Sequence, residues 1–188
     1  MFVRKNVSLL QIFVQINVVI SYKLVQINVD MKRNVLSKLI DWKNKKNRKP
    51  LILNGARQVG KTYILREFGS QCYEKMAYVN CDKNKMLEKI FSQDYNISRI
   101  LLSLSAILHV NIEPGNTLVI FDEIQESPTV LNSLKYFCED APQYHVAVAG
   151  SLLGISLHNN TSFPVGKVDM IKMYPMTFDE FLMAIGEQ

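Results

Sequence analysis

From Pro50 onward, short apolar runs alternate with amphipathic stretches. The runs at 51–53, 77–80, 117–121, 145–149 and 168–173 read as strands. Two of them, 117–121 and 145–149, are apolar at their centres rather than alternating, which is the pattern of strands covered on both faces. The intervening stretches read as helices. One runs through Tyr63, Ile64, Leu65 and Phe68, and Gly69 is expected just past its end as a C′ residue. Others are expected at about 83–91, 97–109 and 129–138. Pro114-Gly115-Asn116 reads as a turn. Strands alternating with helices predict an α/β fold with a parallel sheet and helices on both faces.

Upstream of Pro50 the pattern differs. Val35, Leu36, Leu39, Ile40 and Trp42 fall near helical spacing. The first thirty residues instead hold a small repeat, Val14-Gln15-Ile16-Asn17-Val18 and Val25-Gln26-Ile27-Asn28-Val29, with the alternation of a strand. Met31 is therefore expected to be the natural start, with residues 1–30 an extension outside the core and 31–188 the domain proper. The stretch 7–29 is punctured by Gln11, Gln15, Asn17, Ser21, Lys23, Gln26 and Asn28. A spanning helix needs about 20 mainly apolar residues, and a signal peptide needs a clean apolar centre and a small-residue cleavage site. Neither is present, so the expectation is a soluble, cytoplasmic protein with no membrane partner.

Composition changes this picture little. A chain of 188 residues, 48% hydrophobic and 21% charged, suits one ordinary domain. The net charge of +5 is uneven. Lys43-Asn44-Lys45-Lys46-Asn47-Arg48-Lys49 could meet nucleic acid, or could be a solvated connector ahead of the first core strand. It has no interleaved aromatics to stack bases, which favours the connector. The three cysteines form no CxxC pair, and no histidine stands at zinc spacing from them. They read as small hydrophobes in a reducing cytosol. His145, within an apolar run, reads as packing rather than as a ligand.

The chemistry concentrates in three places. Gly55-Ala56-Arg57-Gln58-Val59-Gly60-Lys61-Thr62 fits G-x-x-x-x-G-K-[ST], between an apolar strand and an amphipathic helix. Its glycines let backbone N–H groups converge on a phosphate, and the helix N-terminus adds a positive dipole end. Lys61 would reach the β- and γ-phosphates, and the Thr62 hydroxyl would take one magnesium position. Arg57 either touches phosphate or only shapes the loop. Next, the apolar run 118–121 ends in Asp122 and Glu123. Asp122 would hold magnesium through its water shell, and Glu123 would polarise the water that attacks the γ-phosphate. The plainer reading of this pair is a helix N-cap and first-turn acid. Last, the run 146–149 ends in Gly150-Ser151. Ser151 either hydrogen-bonds the γ-phosphate or the attacking water, or merely lies in a turn.

With these motifs the sequence resembles the AAA-superfamily ATP-binding proteins of bacteria and archaea that carry a further C-terminal domain. The resemblance runs from about Met31 to the end. It rests on GARQVGKT at 55–62, TLVIFDEIQESP at 117–128, LKYF at 134–137, AGSLLG at 149–154, and FPVGKVDMIKMYPMTFDEFL at 163–182. The last run is the most distinctive. The resemblance implies a P-loop NTPase three-layer sandwich with sheet order 5-1-4-3-2, ATP and Mg2+ as cofactors, and a possible homo-oligomer. By motif position it puts residues 55–62 in the phosphate loop, Asp122 and Glu123 in the Walker B pair, and Ser151 at the sensor position. It also implies that a helical lid and a further domain belong beyond residue 188.

The leading expectation is thus an ATPase whose turnover drives a conformational step. The alternative is a nucleotide-dependent switch or nucleic-acid-binding module with negligible turnover. A small-molecule kinase is the minor reading, because no phosphoacceptor motif is visible. Val119, Ile120, Phe121 and Val148 are expected in the core. Tyr174, Phe178 and Phe181 are expected to pack a helix rather than bind a base.

Overall fold

The computed structural model describes residues 33–151 and 163–185, with side chains through Leu182. The repeat at 14–18 and 25–29 lies outside them. The chain divides into a unit of residues 33–177 and a second of residues 1–32 and 178–188. Of the second, only a helix at Phe178–Ile185 is described, with Asp179 and Glu180 in its first turn, where the helix dipole favours acids.

The first unit opens with α1 (Asn34–Asn44), which buries Val35, Leu39 and Trp42 on one stripe. Then come β1 (Leu51–Gly55), α2 (Lys61–Cys72), β2 (Lys75–Asn80), α3 (Lys85–Gln93) and α4 (Ile97–Leu108). Asn84 and Asn96 cap α3 and α4, each side-chain oxygen accepting from the N–H three residues on. β3 (Thr117–Asp122), α5 (Pro128–Asp140), β4 (His145–Gly150) and β5 (Asp169–Met173) complete the unit. Pro128 stands in the first turn of α5, where no N–H is needed.

The five strands form one sheet in the order β2-β3-β4-β1-β5, all pairs parallel. This is the expected order read from the other edge. Period-two alternation splits β1, β2, β3 and β4 between two cores. Ile52, Val119, Phe121 and Val148 pack with α3, α4 and α5 on one face. Leu51, Leu53, Ile120, Ala147 and Ala149 pack with α1 and α2 on the other. Val119, Ile120, Phe121 and Val148 are fully buried, as their apolar runs require.

Two expectations need correction. Gly69 does not follow α2 but lies inside it, because the helix continues to Cys72. Its role is close packing: a Cβ there would meet Met76 Sδ of β2 at 2.6 Å. The rings of Tyr174, Phe178 and Phe181 are not packed away, being 60%, 72% and 49% exposed. Tyr174 follows the buried Met173 in the strand alternation and so faces outward, with the Lys172 ammonium over its ring.

At the amino edge of the sheet the basic run straps α1 to the sheet. Lys43 donates to the Cys72 carbonyl, Lys45 pairs with Asp169 at 2.6 Å, Arg48 donates to the carbonyls of Lys43 and Pro142, and Lys49 donates to the Gly166 carbonyl. His145 is buried here, edge-on to the rings of Trp42 and Tyr73. Among the described residues, no helix is long and apolar enough to cross a membrane.

Candidate nucleotide-binding site

The carboxyl ends of β1, β3 and β4 meet at one cleft of about 810 Å3, in the place where open α/β sheets bind ligands. The loop after β1 starts at Gly55, which pairs with Met173 of β5. A Cβ on Gly55 would lie 2.4 Å from the Met173 carbonyl oxygen, so only glycine lets β5 come this near. Gln58 and Gly60 are left-handed, with φ of 63° and 92°. Such turns swing successive N–H groups toward one side, and α2 begins at once with its own free N–H groups.

Not every loop residue faces the cleft. Arg57, Gln58, Gly60, Lys61 and Thr62 line it. Gly55 and Ala56 turn their carbonyls to the Lys61 ammonium, at 3.1 and 2.7 Å. Val59 packs inward against the α1–α2 core, and its carbonyl accepts from Arg33 Nη1 at 3.4 Å. Burial lowers the pKa of Lys61, while the Glu123 and Asp122 carboxylates act in the opposite direction.

Asp122 ends β3 almost completely buried. Its Oδ2 accepts from Thr62 Oγ1 at 2.7 Å, across 60 residues of sequence. The same oxygen accepts from the Tyr78 hydroxyl at 2.8 Å, and Oδ1 accepts from the Glu123 N–H at 3.0 Å. Glu123 turns off the strand in the left-handed region, with φ of 52°, and its side chain caps no helix. Its carboxylate accepts from the Gln125 side-chain amide. Gln125 Oε1 in turn accepts from the Ser151 N–H at 3.3 Å, which ties the β3 and β4 ends together. Ser151 lines the cleft, with Asp122 and Glu123.

Tyr78, Gln125 and Arg33 were not singled out by the sequence, since the contacts of Tyr78 with Asp122, of Gln125 with Ser151 and of Arg33 with Val59 and Tyr174 are distant in the chain. A register between β2 and β3 would have found Tyr78. Cys81, beside the acids, is pushed up to about 12 by burial first and by Asp122 and Glu123 next, so it stays a thiol.

The donor set suits a hard cation. A hydroxyl and a carboxylate oxygen stand side by side, and among the described residues no three His, Cys, Asp or Glu could cage a metal alone. Magnesium is ordinarily held this way, by one or two protein oxygens plus phosphate and water.

A glycine loop feeding a helix N-terminus, with acids at the end of a strand one place removed in the sheet, defines a P-loop nucleotide-binding α/β domain. Residues 47–182 match the family described as AAA domain, and the chain belongs to that family. The Walker-type ATPase PABY2304 of Pyrococcus abyssi shares the fold, with TM-score 0.56, 17% identity, and coverage of 83% of this chain and 57% of that one. The chain thus spans just over half of that structure's length. PCH-2 of C. elegans matches more loosely, with TM-score 0.43, 13% identity, and coverage of 76% of this chain and 41% of that one. No curated protein matches the sequence.

Proposed function

We propose that this domain binds ATP with Mg2+ and hydrolyses it to ADP and phosphate, using the turnover to drive a conformational step. The observation that carries the reading is the 2.7 Å contact of Thr62 with Asp122, which brings the loop and the β3 acids into one site. The loop N–H groups and Lys61 hold the β- and γ-phosphates. Thr62 and Asp122 would hold the metal, which when bound would neutralise phosphate charge. Glu123, steadied by Gln125, orients the water and takes up its proton as the water attacks the γ-phosphorus and the bond from that phosphorus to the bridging oxygen breaks, releasing ADP. The Ser151 hydroxyl hydrogen-bonds the γ-phosphate or that water. Cytoplasm is the compartment this reading assigns, supported by three free cysteines.

Calorimetric titration with ATP and magnesium, run beside phosphate release, tests the reading. Lys61→Ala should weaken ATP binding by at least roughly tenfold, and Glu123→Gln should keep binding while abolishing release. Binding without release by the parent would favour the nucleotide switch. No binding at all would end both readings. Assembly with further copies of the chain would appear as release per chain that rises with protein concentration. For the basic run, the internal contacts of Lys43, Lys45, Arg48 and Lys49 support the connector rather than a nucleic-acid surface. Salt-dependent DNA binding lost on neutralising Lys45, Lys46, Arg48 and Lys49 would reverse that preference.

A further inference from the structure

Tyr78 stands on β2, at the sheet edge, and no part of the loop or the acidic pair contains it. The β2–β3 register pairs Tyr78 with Ile120 and Asn80 with Asp122. Alternation therefore places Tyr78 and Asp122 on the same face of neighbouring strands, diagonal to each other and under α2. The Tyr78 hydroxyl donates to Asp122 Oδ2 at 2.8 Å. From α2, one turn after Thr62, the Arg66 guanidinium lies 4.0 Å from the centre of the Tyr78 ring. The ring is thus clamped by the helix that carries Thr62, with its hydroxyl on the carboxylate of β3.

We propose that Tyr78 is a positioning residue for the metal carboxylate, an inference that rests on the magnesium–nucleotide reading above. Asp122 is held at both oxygens. Oδ1 has the Glu123 N–H, and Oδ2 has the hydroxyls of Thr62 and Tyr78. Thr62 is itself assigned to the metal, so any change there removes a metal ligand together with the carboxylate's partner. The Glu123 N–H restrains only Oδ1 and sits on the residue assigned to the water. Tyr78 is the one of the three that belongs to neither task, and its bond keeps the carboxylate in a single orientation whatever Thr62 does. Partners of this outer kind typically alter metal affinity by about 10- to 100-fold when removed.

Tyr78→Phe in the full chain tests this, since it removes one oxygen and leaves the ring under Arg66. Mn2+ binding in the presence of ADP, read by electron paramagnetic resonance, reports the metal without turnover. Calorimetry with ATP in EDTA reports the loop alone. The expected result is a roughly tenfold weaker Mn2+ site, with unchanged ATP affinity in EDTA and a melting temperature close to the parent's. In an Asp122→Asn background the same change should add nothing further. An unchanged Mn2+ site would overturn the proposal. So would an equal loss of ATP affinity in EDTA, or a large fall in melting temperature, since either would make the hydroxyl a support of the loop or the fold. Failure of the parent chain to bind Mn2+ with ADP would remove the magnesium–nucleotide reading as well, whereas a parent that binds and a Tyr78→Phe that binds equally well removes only this inference.

Discussion

At Gly55 a single methyl group meets backbone rather than side chain. The carbonyl 2.4 Å from its would-be Cβ belongs to Met173, its ladder partner on β5, and cannot withdraw without breaking the β1–β5 pairing. Gly55→Ala should therefore destabilise by about 2–4 kcal/mol, read as a lower urea midpoint with an unchanged slope. A midpoint within error of the parent would mean that β5 can move aside. The motif announces this glycine for the sake of phosphate. That it also admits β5 was not legible, because nothing in the sequence says which strand lies beside β1. His145 is the other residue whose surroundings decide its behaviour. Burial first, then Arg48 and Lys43, lower its pKa to about 4 in the folded chain, and its Nδ1 shares a hydrogen bond with the Tyr73 hydroxyl. An unfolded histidine titrates near 6.5. Between those values the unfolded chain holds the extra proton, so stability falls as pH drops from about 6.5 to 4, by up to about 3 kcal/mol. Urea melts of the parent and His145→Phe across that range should show a shallower slope for the variant; equal slopes would assign the acid lability elsewhere.

Among elements, the exit of β5 and the entrance to α1 together brace the phosphate loop. Arg33, just ahead of α1, donates to the Val59 carbonyl in the loop at 3.4 Å and to the Tyr174 carbonyl at 2.8 Å. Met173 Cε lies 3.7 Å from where a Cβ on Gly60 would stand. A change in loop shape that moved Val59 or Gly60 would thus bear on residues 173–174, within the most distinctive run of the sequence. Arg33→Ala should cost about 1–2 kcal/mol of stability, weaken ATP binding several-fold, and speed amide exchange in residues 55–60. Unchanged exchange there would separate the brace from the loop. The elements themselves were legible: apolar runs and helical spacing located the five described strands and the described helices between them, with ends misjudged by a residue or a few. The braces were not. Arg33, Tyr78 and Gln125 are polar residues with no local pattern, and their partners lie 141, 44 and 26 residues away. Gly69 misled for the same reason, since a glycine near a helix end reads as a stop, and only the nearness of Met76 shows otherwise.

For the molecule as a whole, the question is how much chain the nucleotide site needs. The buried residues of both described cores run from Val35 to Met173, and the described cleft lining runs from Arg57 to Ser151. A chain begun at Met31 keeps every one of them, and keeps Arg33. It should melt within a few degrees of the parent and bind ATP with the same affinity. Ligand linkage makes the comparison sharp. At a hundredfold excess over Kd, bound nucleotide adds about 2.7 kcal/mol to stability, which for a domain of this size raises Tm by roughly 5–10 °C. That rise depends on affinity, not on how stable the starting chain is, so it separates a lost site from a weakened fold. An equal rise in both chains would place residues 1–30 outside the nucleotide site even if the shortened chain melts lower. A rise seen only in the parent would give those residues a part in binding, and the expectation that Met31 opens the functional chain would fail.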